Sequence, residues 1–174
     1  MNFSVDRRDV LKILTGSVLA GPLLLTAAEA GKPLYFSKEE FDLLDRLTEI
    51  IIPRDSHSPG AHDAGVAVFI DRTVAEAFLS EEKDAWKNGL AEIDRLSMKE
   101  AKRPFLKAGK ERQIDLLKKL AHGEDNPKSD GEKFFKRLKG ATVFAYYSSE
   151  IGIHAEMEYK GNVILERFVG YDAI

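Results

Sequence analysis

Apolar residues recur at three- and four-residue spacing through most of the chain beyond residue 37, the mark of helices that each bury one face. The first run holds Phe41, Leu44, Leu47, Ile50 and Ile51, follows Ser37-Lys38-Glu39-Glu40 and stops at Pro53. In such a capping box the serine oxygen takes one open backbone N–H and the glutamate reaches back to another. The spacing predicts a helix over Lys38–Ile52. Ala67, Ile70, Val74 and Phe78 predict a second over 64–78, and Ser80 with Glu81-Glu82 reads as the cap and acidic first turn of a third. Trp86, Leu90, Ile93 and Leu96 are that helix's buried stripe. Pro104-Phe105-Leu106 interrupts the pattern, after which Ile114, Leu117, Leu120 and Ala121 give a fourth helix. A fifth, from Glu132 to about Glu150, aligns Phe134, Phe135, Leu138, Thr142, Ala145 and Tyr146, with Gly152 as its C-terminal stop.

Two polar stretches break the periodicity. Residues 53–63 are rich in turn formers and, at eleven residues, form a longer loop than most connections. Residues 122–130 form the other, around Pro127. From Ile153 onward, with Gly161-Asn162 and Val163-Ile164-Leu165, the pattern fits either a short strand or an extended segment over the helices. No repeat or second-domain linker appears. The fold class expected is all-α, a single compact multi-helix domain at 31–174 with an irregular or short-strand C-terminal tail.

Residues 1–30 differ in kind. A charged start with Arg7, Arg8 and Lys12 is followed by an uncharged run from Ile13 to Ala28 and then by Ala28-Glu29-Ala30, the A-x-A form that precedes a cleavage site. Cleavage after Ala30 is expected. The run is short and mild beside the ~20 apolar residues of a spanning helix. The adjacent arginines with Leu11 and Lys12 match the twin-arginine export motif, from which Asp6 and Val10 depart. A general secretion signal that happens to carry two arginines is the alternative.

Composition narrows the chemistry. Lys+Arg 26 against Asp+Glu 29 leaves a net charge of −3, which gives no electrostatic reason to bind nucleic acid. At 44% apolar and 32% charged the chain reads as globular. It has no cysteine, which excludes disulfides, thiolate-held iron–sulfur clusters, cysteine zinc sites and thiol nucleophiles.

His57 and His62 share the long loop with Asp55 and Asp63 and are a candidate metal set, although a five-residue interval in a loop specifies no geometry. His154, Glu156 and Glu158 would share one face if that segment were a strand. Solvated polar residues are the simpler reading of both. The chain carries neither a Gly-x-Ser-x-Gly elbow nor the glycine-rich signatures of phosphate and dinucleotide loops. Catalytic, cofactor-binding and metal residues are therefore not assigned. Tyr146 and Tyr147, adjacent on a helix, cannot both face one core, so one is expected either to meet a partner or to lie flat on its own domain. The candidate interface comprises Pro59, His62, Tyr146, Tyr147 and Glu150.

Several segments together resemble the gluconate 2-dehydrogenase subunit 3 family. They are Phe41-x-x-Leu44-x-x-Leu47-Thr48-Glu49-Ile50-Ile51-Ile52-Pro53, then Pro59-Gly60-Ala61 with Ala64-Gly65-Val66 and Phe69-Ile70-Asp71, then Phe134-Phe135-x-x-Leu138-Lys139, and Tyr146-Tyr147-Ser148-Ser149-Glu150-Ile151-Gly152. The resemblance implies a non-catalytic accessory subunit of a periplasmic or membrane-associated sugar or sugar-acid dehydrogenase. In such complexes a large FAD-bearing subunit of the glucose-methanol-choline type oxidises the substrate, and a multihaem cytochrome c often receives the electrons. The small subunit then carries its partner, folded, to the twin-arginine translocase. An export chaperone that releases its client, and an independent metal-assisted enzyme, are the alternatives.

Overall fold

The structure is a computed structural model and describes residues 32–159 and 161. The leader residues Arg7, Arg8, Leu11, Lys12, Ala28 and Ala30 lie outside the described residues, as does the candidate strand at 163–165. Five α-helices follow one another: α1 (Lys38–Ile51), α2 (Val66–Glu76), α3 (Ser80–Ala101), α4 (Lys110–His122) and α5 (Asp130–Tyr147). A 3₁₀ turn at Phe105–Lys107 joins α3 to α4, and a π-helical turn at Gly152–Glu156 follows α5. No strand occurs among the described residues, so the domain is all-α. Among them no helix is long and apolar enough to cross a membrane.

Local chemistry sets the helix starts. Ser37 Oγ accepts the Glu40 N–H at 3.2 Å and Glu40 accepts the Ser37 N–H at 2.8 Å, which completes the expected capping box. The same box opens α5, where Ser129 and Glu132 exchange bonds of 3.3 and 2.9 Å. The helix therefore begins at Asp130, not Glu132, and the Ser-x-x-Glu pattern was visible in the sequence. Glu132 also accepts the Lys128 N–H, and these backbone donors hold its carboxyl below the ordinary range. Ser80 is not a cap. It is the first residue of α3, and the capping position falls to Leu79, which makes no side-chain cap bond.

Helix α5 packs against each of the other four helices, which makes it the spine of the domain. Its expected stripe of Phe134, Phe135, Leu138, Thr142, Ala145 and Tyr146 is buried throughout. Facing it are Leu43, Leu44 and Leu47 of α1, Ile70 and Val74 of α2, Trp86, Leu90 and Ile93 of α3, and Leu116, Leu117 and Leu120 of α4. The Trp86 and Phe134 rings meet edge to face with centroids 5.7 Å apart, a geometry that suits the aromatic quadrupole. Gly89, one turn along α3 from Trp86, lets that ring approach: a β-carbon at Gly89 would stand 1.9 Å from Phe134.

Three residues differ from the pattern. Phe78, expected on a buried face, is 98% exposed, because α2 ends at Glu76 and the chain turns extended at Ala77. Ile114 is only half-buried, whereas the polar Gln113 beside it is buried. Gln113 earns that place by bridging elements: its oxygen accepts from Arg46 Nε at 2.9 Å, and its amide donates to the Phe105 carbonyl at 2.7 Å. Gly152 does not terminate α5 as expected. It lies in the π-helical turn pressed against the main chain, where a β-carbon would be 2.0 Å from the Tyr146 carbonyl oxygen.

A buried carboxylate fastens the start of the domain. Asp71 of α2 accepts the backbone N–H groups of Leu34, Tyr35 and Phe36. Phe36 is thereby set into the core immediately before the first capping box.

Candidate functional site

The loop between α1 and α2 is held by its own carboxylates. Glu49, in the last turn of α1, accepts the Arg54 N–H at 3.1 Å and the His62 N–H at 2.9 Å, so one side chain grips both ends of the loop. Asp55 accepts the His57 and Ser58 N–H groups at 2.7 and 2.8 Å, and these bonds lower its pKa from the ordinary value. Asp63 takes the Arg54 guanidinium through two bonds, of 2.9 and 2.5 Å, and the Gly60 N–H at 3.2 Å. The arginine bond is the first cause of its lowered pKa. Gly60 is confined: a β-carbon there would lie 2.5 Å from Glu49 and 2.6 Å from the Arg54 nitrogen.

This bonding bears on the candidate metal set. Asp55 and Asp63 are occupied within the loop, and His62 Nδ1 pairs with Asp45 of α1 at 2.8 Å. That hydrogen bond, followed by the Asp45 charge, raises the His62 pKa from its ordinary value. Among the described residues no three His, Asp or Glu side chains come together in a group that can hold a metal. His154 and Glu156 lie in the π-helical turn, so the alternating strand face expected for His154, Glu156 and Glu158 does not exist. His154 Nδ1 instead lies 3.1 Å from the Tyr159 carbonyl oxygen.

The end of α5 braces the same loop from below. Tyr146 is fully buried, and its hydroxyl donates to the Pro59 carbonyl oxygen at 2.7 Å with Ser58 Oγ 3.2 Å away. Ser149 caps the reversal that follows: its hydroxyl donates to the Tyr146 carbonyl at 2.6 Å and accepts the Gly152 N–H at 3.0 Å.

The residues expected at an interface therefore divide. Tyr146 offers no surface to a partner and serves as an internal strut. Tyr147, Glu150 and His62 are exposed, and Pro59 is half-buried. The Tyr147 ring stands edge-on to that of Tyr146, with centroids 5.3 Å apart.

A second surface was not anticipated. Phe69 of α2 and Phe144 of α5 are 43% and 64% exposed, and their rings meet at 6.1 Å. They border a groove of about 300 Å³ whose walls include Thr73, Trp86 and Ala141. The signal was present in the sequence, since Phe144 falls outside the buried stripe of α5. It was masked by the neighbouring tyrosine pair.

Among the described residues the chain is a small five-helix domain whose polar loop is taken up by internal bonds and whose outer face carries aromatic rings. The model of the family described as gluconate 2-dehydrogenase subunit 3 matches residues 38–163, and the chain belongs to that family. No curated protein matches the chain, and no solved structure does. The family's name places the chain in a multisubunit dehydrogenase, as an accessory subunit.

Proposed function

We propose that this chain is the non-catalytic small subunit of a periplasmic or membrane-associated dehydrogenase of sugars, glycosides or sugar acids. Its main partner is a large FAD-dependent subunit of the glucose-methanol-choline type, which it stabilises and carries folded through twin-arginine export. A multihaem cytochrome c is the third member. FAD and haem c belong to those partners, and this chain supplies no catalytic residue.

The observation that carries this reading is the use made of the loop at 53–63. It is the richest cluster of candidate chemistry in the domain, and Glu49, Asp55 and Asp63 spend their oxygens on its own backbone and on Arg54. Such a loop is a shaped and rigid surface, suited to contact. Membership of the family supports the partner, and Arg7-Arg8 with Leu11-Lys12 supports the route. A subunit loaded with FAD in the cytoplasm must cross the membrane folded, and a signal on a tightly bound small subunit serves both chains.

Replacing Arg7 and Arg8 together by lysine tests the reading. Both proteins should remain in the cytoplasm, followed by fractionation and flavin absorbance. Continued export of the flavoprotein would overturn the carrier role. A complex that separates within minutes of export would favour the releasing chaperone over the permanent subunit.

A further inference from the structure

Five residues of α5, Lys133, Arg137, Gly140, Phe144 and Tyr147, recur at three- and four-residue spacing along its outer side and form one stripe. The stripe is basic at one end and aromatic at the other. At the basic end, Arg137 and the adjacent Lys136 form no ion pair among the described residues, while Lys133 pairs with Asp130 at 3.3 Å. At the aromatic end, Phe144 meets Phe69 across the groove.

Gly140 lies between the two ends, and nothing among the described residues explains it. A glycine in a helix interior destabilises it relative to alanine. Gly89 is matched to the Phe134 ring, but a β-carbon at Gly140 would meet nothing within 4 Å, and Gly140 has no positive φ to require glycine. A glycine facing outward from mid-helix, with exposed aromatic rings on one side and basic side chains on the other, lets a second backbone come close.

We propose that this stripe and the facing side of α2 dock a helix of the flavoprotein subunit. That helix crosses α5 over Gly140, sets an apolar side chain against Phe69 and Phe144, and turns carboxylates towards Lys136 and Arg137. The inference rests on the accessory-subunit reading above. Acidic neighbours flank this end too: Glu82 lies on the α3 wall of the groove, and Glu92 and Asp130 line the adjoining hollow, where they pair with Arg95 and Lys133, so the partner's carboxylates fall to the Lys136 and Arg137 side. The groove is the centre of the contact only, since a stable interface buries about 1,600 Å² in total.

The test uses the full chain purified with its flavoprotein from the native host, as wild type, Gly140→Leu and Phe144→Glu. Gly140→Leu should leave the chain at least as resistant to heat as the wild type, because leucine favours the helix and meets no neighbour there. It should nevertheless retain roughly tenfold less flavin-bearing subunit, as should Phe144→Glu. A residue of purely internal importance would not separate those two readouts. Full retention by both variants beside an intact wild-type complex would overturn the docking face and leave the accessory-subunit reading standing. A wild-type chain isolated without any flavin-bearing subunit would overturn both. A dimer of this chain that Phe144→Glu splits would assign the face to self-association and overturn the proposal.

Discussion

The Tyr146 hydroxyl reaches the Pro59 carbonyl oxygen at 2.7 Å, which ties the end of the last helix to a loop 87 residues earlier. The bond is partly buried and is made by a neutral donor to a main-chain acceptor, so its net contribution is of the order of 0.5–1.5 kcal/mol. Tyr146→Phe should lower stability by that amount in urea unfolding and speed proteolysis within residues 53–63. An unchanged midpoint and cleavage rate would show that Glu49 and Asp55 hold the loop without it.

Asp71 supports the start of the domain through three backbone N–H groups. Its removal leaves those donors without their buried acceptor, where bonds to a charged group are worth about 1.5–3 kcal/mol. Asp71→Ala should lose at least that much in chemical unfolding and open the segment around Leu34–Phe36 to proteases. Equal stability of variant and wild type would refute the latch.

Two glycines should respond to alanine in opposite directions. Gly89→Ala drives a methyl into the Phe134 ring, and overpacking of this kind costs about 1–3 kcal/mol. Gly140→Ala meets open space and should stabilise the domain by up to ~1 kcal/mol. Thermal unfolding of the two variants side by side checks both signs.

Stability should also depend on pH from two sides. Asp55, Asp63 and Glu132 have lowered pKa values, through backbone donors for Asp55 and Glu132 and chiefly through Arg54 for Asp63. Their contribution is present above the unfolded carboxylate range and is lost as pH falls through their lowered folded values. His62 is raised by Asp45, so its contribution is present below the unfolded histidine value and is lost as pH rises through the folded one. Because this pair is exposed, the change as pH rises from the unfolded histidine value through the folded one should lie at the lower end of ~0.2–1 kcal/mol. Wild type should melt above His62→Gln at pH values below the unfolded histidine value, and the gap should close as pH rises through the folded one; an identical pH dependence would show the pair to be idle.

The helices were legible because each carries a buried face at helical spacing, and α5 shows this best, with all six of its expected core positions buried. What the sequence concealed lies between elements. Glu49 and Asp71 look like surface acids on amphipathic helices, and only the packed fold brings backbone donors to them. Gln113 reads as polar and exposed until Arg46 and Phe105 supply its partners. Tyr146 and Tyr147 were correctly seen to face different ways, but periodicity alone does not say that the inward one would carry its hydroxyl to Pro59. Phe78 illustrates the converse, an apolar residue in phase with its helix that the helix ends too early to bury.

The latch at Asp71 holds the chain by main-chain N–H groups, which every residue except proline possesses. It thus makes no demand on the identity of the side chain at Leu34, which is largely exposed. The domain begins with a fastening indifferent to the spelling of what precedes it. Any side chain but that of proline at position 34 should therefore keep this bond and leave the five-helix body unaltered.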